Sequence, residues 1–137
     1  MSQVLVVQAG GRLYALPSES VREITSMPVL TRLPGATDDV RGLANLRGQL
    51  FAVVDLAHRI TGTPSASTEP DVVVLAVDGK SLGLLVDEVR EVMPVEEFGE
   101  SPPVGGSEGK LIAAMGHFGD SVVLQVNVQE LVRQALA

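Results

Sequence analysis

The segment 72–86 limits the fold more than any other stretch of the chain. Val72-Val73-Val74-Leu75-Ala76-Val77 runs into Asp78-Gly79, and Lys80-Ser81-Leu82-Gly83-Leu84-Leu85-Val86 follows. Asp-Gly is a favoured pair for a two-residue type I′ turn, whose twist matches that of the strands on either side. The segment therefore reads as a β-hairpin. The pattern recurs at Gly10-Gly11 between Val4–Val7 and Leu13–Leu16, and at Arg47-Gly48 between Leu43–Leu46 and Leu50–Val54. A fourth hairpin turns near Gly119-Asp120, between Leu111–Met115 and Val122–Val126. Several short strands with tight turns favour small barrels over one open sheet.

Helix is expected in short pieces only. Asn127 is a good N-cap, with Glu130 at the capping-box spacing and Leu131, Val132 and Leu136 as a partial apolar stripe. Asp55 would likewise cap one turn over Leu56–Ile60, and Pro17-Ser18-Glu19-Ser20 could start another, since Ser before Glu suits a cap. The third and fourth hairpins thus read as the same unit: strand, turn, strand, capping residue, helical turn. That implies two related β lobes. Thr61–Pro70 and Gly99–Gly109 are rich in Gly, Ser, Thr and Pro and read as loops, the first separating the lobes.

With 137 residues and no cysteine, one domain needs neither disulfide nor metal to fold. Two histidines, His58 and His117, do not by themselves make a multi-histidine metal site, so no metal or other cofactor is expected. A net charge of −7 argues against nucleic acid. The aromatics are Tyr14, Phe51, Phe98 and Phe118, too few for a platform that stacks single strands. Neither a signal peptide nor a membrane-length apolar run is read, so no membrane insertion is expected. The mean hydropathy of +0.28 leaves apolar surface available for partners.

The paired acids Asp38-Asp39, Asp87-Glu88 and Glu96-Glu97 could do acid–base work or hold a cation. Adjacent residues on a strand face opposite sides, however, so such neighbours do not converge. No Gly-x-Ser-x-Gly elbow is present, and Gly105–Lys110 lacks the phosphate-loop pattern because Leu111 follows Lys110. No enzyme constellation emerges. What stands out is Val40-Arg41-Gly42-Leu43-Ala44-Asn45-Leu46-Arg47-Gly48, two Arg-Gly pairs around one apolar strand. A glycine inside a strand permits a bulge or a close backbone approach. Arg47 at a hairpin tip would project a rigid fork suited to a partner's carboxylate. The plainer reading of Arg47 is a solvated turn arginine.

The same segment, continued through Gln49-Leu50-Phe51-Ala52-Val53-Val54-Asp55-Leu56, resembles the CheW family of chemotaxis coupling proteins. Leu13–Pro17, Val21-Arg22-Glu23-Ile24, Thr31-Arg32-Leu33-Pro34, Gly83–Val92 and Val126–Leu131 are similar to further family segments in the family's order. The resemblance implies an all-β fold of two SH3-like five-stranded barrel lobes packed together with a short C-terminal helix, one domain over residues 1–137. It implies a non-enzymatic cytoplasmic adaptor, without cofactor, that couples the cytoplasmic tips of methyl-accepting chemoreceptors to the regulatory domain of a CheA-type histidine kinase. Carried over residue by residue, the receptor face includes Val21, Glu23, Arg47 and Gly83. The kinase face includes Arg41 and Gly42, with Val104 nearest to a second contact. Ala52 stands where the family usually has Pro, and the Gly99–Gly109 loop looks short. The absence of long tails speaks against a fused response regulator. A paralogue serving another receptor–kinase pathway, such as pilus or gliding motility, or one without kinase binding, is the nearest alternative. A ligand-binding or enzymatic barrel is a more distant one.

Overall fold

The computed structural model describes residues 3–94 and 111–136. In chain order the elements are β1 (Gln3–Ala9), β2 (Arg12–Pro17), β3 (Val21–Ser26), β4 (Leu30–Thr31), β5 (Val40–Leu46), β6 (Gln49–Asp55) and α1 (Leu56–Thr61). They continue with β7 (Asp71–Val77), β8 (Lys80–Val86), β9 (Glu88–Pro94), β10 (Ile112–Phe118), β11 (Ser121–Val126) and α2 (Val128–Ala135). All four expected hairpins form on two-residue turns, closing at Ala9↔Arg12, Leu46↔Gln49, Val77↔Lys80 and Phe118↔Ser121. Ser18–Ser20 is a 3-10 turn without a side-chain cap, so the serine there does not cap as the local pattern suggested.

The strands form two sheets, ordered β10-β11-β2-β1-β9 and β4-β5-β6-β8-β7-β3. Apart from β4, a two-residue strand beside Leu43 and Ala44, the second order repeats the first. Each sheet is built on a hairpin, β1–β2 or β7–β8, flanked on one side by a parallel strand, β11 or β6. The strand that follows each hairpin joins the other sheet: β3 leaves β2 to pair with β7, and β9 leaves β8 to pair with β1. The halves are thus exchanged at one strand each.

The repetition extends to irregularities. One register shift separates Val40 from Gly42 on β5, and its counterpart separates Ile112 from Ala114 on β10. On β3 and β9 the matching segments are Val21-Arg22-Glu23-Ile24 and Val89-Arg90-Glu91-Val92, each with a shift in its ladder. Both caps form as well. Asp55 accepts from His58 N at 3.2 Å and Asn127 from Glu130 N at 3.1 Å.

Alternation within the central strands explains their unbroken apolar runs. Val72 and Val74 pack with Ala44, Phe51, Val53 and Leu85 inside the second lobe. Val73 and Leu75 face a shared core with Leu5, Val7, Tyr14, Leu16, Leu56 and Leu131. On β1, Val4 and Val6 point to a third cluster with Ala15, Met93 and Val123, while Leu5 and Val7 enter the shared core. Both faces of each central strand are buried, so no polar alternation survives in the sequence.

Candidate partner-binding site

The β5–β6 turn is a type I′ turn with φ of 52° at Arg47 and 84° at Gly48. Asn45 Oδ1 accepts from Gly48 N at 3.1 Å and braces it. A non-glycine residue in the left-handed region is uncommon. Arg47 is held there with its side chain 69% exposed, and Nη2 meets both carboxylate oxygens of Glu23.

That contact spans the sheet. Glu23 is on β3, and β7 and β8 lie between it and β6. At about 4.8 Å per strand the flat separation would be roughly 14 Å, the full combined length of two side chains that rise from the sheet and do not run along it. Met27, just after β3, also packs with Ala44 of β5 and Phe51 of β6. The second sheet must therefore curl until its β3 edge approaches the β5–β6 tip. The pair sits across the mouth of that curled sheet.

Register places Gly83 on the same face. Glu23 is opposite Val74, Val74 opposite Gly83, and Gly83 opposite Val53. Cross-strand neighbours share a face, so these residues form one row leading inward from the mouth. Gly83 itself is buried, and a Cβ there would lie 2.9 Å from a Phe51 ring carbon. Its place in the fold is a support beneath Phe51, inside the lobe. Val21 stands opposite Leu75 and packs against the shared core, because the ladder shift between Val21 and Glu23 turns the two side chains to different faces. Of the four residues expected on the receptor face, Glu23 and Arg47 touch, Gly83 lies in their row, and Val21 lies on the other face of the same strand.

Arg41 and Gly42 form a separate site at the β5 bulge. Gly42 has φ of 148°, and a Cβ there would lie 2.8 Å from the carbonyl oxygen of Thr31. Glycine is needed for β4 to approach. Arg41 Nη1 donates to Asp55 Oδ2 at 3.2 Å. Val104 and the Gly99–Gly109 loop lie outside the described residues.

The acids do not converge into a catalytic pair. Asp39 is buried against Arg59 while Asp38 is exposed. Asp87 takes the Gly10 amide at 3.0 Å and the Ser65 hydroxyl, whereas Glu88 pairs with Arg90. Glu96-Glu97 lies outside the described residues. Among the described residues no cluster of three or more His, Asp or Glu could hold a metal ion. No helix among them is long and apolar enough to cross a membrane. Sequence reasoning missed the Asp39–Arg59 pair and the Ser65–Asp87 link, since both join residues distant in the chain without a local pattern.

Comparison with known proteins follows the same lines. A family model described as CheW-like domain matches residues 3–136. The chain is 37% identical over 98 residues to protein PilI of Pseudomonas aeruginosa, covering 69% of this chain and 54% of PilI. It is 31% identical over 96 residues to the probable chemotaxis protein CheW of Rhizobium etli, covering 69% and 62%, and 31% identical over 105 residues to chemotaxis protein CheW of Bacillus subtilis, covering 75% and 67%. The match spans 54% to 67% of the length of these relatives. The crystal structure of scaffolding protein TtCheW from Thermoanaerobacter tengcongensis superposes with a TM-score of 0.82 at 25% identity, covering 92% of this chain and 88% of that one. With a family match along residues 3–136 and a fold that superposes on a CheW structure over nearly its whole length, the chain belongs to the CheW-like domain family.

Proposed function

We propose that this protein is a non-enzymatic cytoplasmic adaptor that couples the tip of a methyl-accepting chemoreceptor to the regulatory domain of a CheA-type histidine kinase. Residues 1–137 act in this reading as one domain of two intertwined lobes, which the core shared by both sheets supports. The Glu23–Arg47 pair carries the receptor assignment. It sets a mostly exposed guanidinium, backed by a carboxylate, at the mouth of a curled sheet. Receptor contact falls to Glu23 and Arg47, with Gly83 supporting them and Val21 seating the same strand on the core. Kinase contact falls to Arg41, with the buried Gly42 shaping the bulge that presents it and Val104 as a further kinase residue. Two sites at different ends of one lobe suit a bridging molecule better than a catalytic one.

The test is calorimetric titration of the wild-type protein against a receptor-tip fragment and against a kinase regulatory domain, each alone and then together. Simultaneous binding of both is expected. Binding of neither defeats the adaptor reading. The similarity to PilI favours one second reading, an adaptor of the same design in another receptor–kinase pathway such as pilus motility. Selective binding to that pathway's receptor tip and kinase would establish it.

A further inference from the structure

Asp55 is fully buried where β6 meets α1. Its Oδ1 caps the helix at His58 N. Its Oδ2 accepts from Ser65 N at 2.9 Å and from Arg41 Nη1 at 3.2 Å. Burying a carboxylate is unfavourable unless it is paired and hydrogen-bonded, so the charge needs a reason.

Capping does not supply one. The residue at the corresponding place after β11 is Asn127, which caps α2 with the same bond geometry. Asn and Asp are about equally good N-caps. The halves differ across the ladder. The bulge on β5 carries Arg41, and the matching bulge on β10 carries Ala113. The half with the arginine has the aspartate, and the half with the alanine has the asparagine.

From this we infer that Asp55 is a positioning residue whose charge fixes Arg41 for a carboxylate on the kinase regulatory domain. The inference rests on the reading of Arg41 as a kinase contact. Arg41 keeps 40% of its side chain exposed while one N–H is committed to Asp55. The remaining donors of its fork are available to a partner's acid. Arg41 also lines an open groove of about 480 Å³ with Arg32, Leu30, Leu33, Pro34 and Asp38. Its two guanidinium groups outnumber its one carboxylate, so it favours an acidic group on the partner over a basic one.

The test compares wild type, Arg41→Ala, Asp55→Asn and the double variant by titration with a kinase regulatory domain and, separately, with a receptor-tip fragment. Arg41→Ala is expected to weaken kinase binding about tenfold or more. Asp55→Asn should weaken it comparably, with receptor binding unchanged, and the double variant should be no weaker than Arg41→Ala alone. Full kinase affinity in Asp55→Asn, or losses that multiply in the double variant, would overturn the inference. If Arg41→Ala binds the kinase normally, the kinase assignment of Arg41 fails instead. Positioning is then decided by NMR of the Arg41 Nε–H group in the wild-type protein. A resolved, slowly exchanging signal supports it, and mobility equal to that of the exposed Arg22 overturns it. Asp55→Ser, which also retains a capping oxygen, serves as the second variant should Asp55→Asn fold poorly.

Discussion

Gly83→Ala tests whether Gly83 acts by packing or by touching a partner. The new Cβ would stand 2.9 and 3.1 Å from two ring carbons of Phe51 and 3.0 Å from Val53 Cγ2. Carbon atoms prefer about 3.5–4.0 Å, so several contacts are too short by roughly half an ångström. Phe51 is only 3% exposed and packs within its cluster, so moving its ring displaces buried neighbours. Overpacking of this kind costs about 1–3 kcal/mol, offset by about 0.4–1 kcal/mol from the lower entropy of the unfolded chain. A net loss of about 1–2 kcal/mol is expected, lowering Tm by roughly 3–8 °C for a chain of 137 residues.

The first sheet offers the compensation. At the place of Gly83 it has Ala15, opposite Gln125, and at the place of Phe51 it has Val123. Phe51→Val alone should cost about 2–4 kcal/mol through the cavity it leaves. Combined with Gly83→Ala it reproduces the first sheet's pairing, so the double variant should be less destabilised than the sum by at least about 1 kcal/mol. Thermal and denaturant unfolding of the four proteins measures this cycle. A Gly83→Ala protein as stable as wild type, or strictly additive losses, would refute the packing argument. Unchanged stability together with lost receptor binding would mean that Gly83 meets the partner directly.

Gly42→Ala should lower stability by about 2 kcal/mol or more, because φ of 148° and an oxygen 2.8 Å away both oppose a side chain; the denaturant midpoint reads it directly. Asn127→Ala should cost about 1 kcal/mol with an unchanged m-value, through loss of the acceptor for Glu130 N. Arg47→Glu should keep the fold, since the residue is on an exposed turn, but weaken receptor-tip binding roughly 30-fold or more. Wild-type affinity in a folded Arg47→Glu protein would withdraw Arg47 from the receptor face.

The hairpins were legible because two-residue turns have few solutions, and those solutions favour glycine or Asp-Gly. The caps were legible because Asp55 and Asn127 stand where an apolar strand gives way to a helix. The exchange of β3 and β9 was not, since nothing local in Val21–Ser26 tells it to pair with β7 in preference to β1. A signal did exist: Val21-Arg22-Glu23-Ile24 and Val89-Arg90-Glu91-Val92 repeat each other and follow similar hairpins. At the site, Arg47 was legible as a turn residue, but its contact with Glu23 depends on the curl of a whole sheet. Gly83 shows the reverse problem. Its place in a motif suggested contact, whereas its surroundings are a phenylalanine and a valine of the core.

Because the two halves share strand order, bulges and caps, each serves as a control for what the fold requires of the other. The turn after β10 has glycine at the first position, with φ of 63°, where the turn after β5 has Arg47 at 52°. A non-glycine residue in this region costs on the order of 1–3 kcal/mol. An exposed ion pair such as Glu23–Arg47 returns about 0–1 kcal/mol. On stability alone glycine would be the better residue at 47, as it is at 119, so Arg47 is not explained by folding. Glu91 makes the same point from the other side, since it occupies the place of Glu23 in a half whose corresponding turn, Gly119-Asp120, has no arginine. The same logic separates Asp55 from Asn127 and Arg41 from Ala113. These differences gather at the mouth and the bulge of the second sheet, the two places proposed to meet the receptor and the kinase.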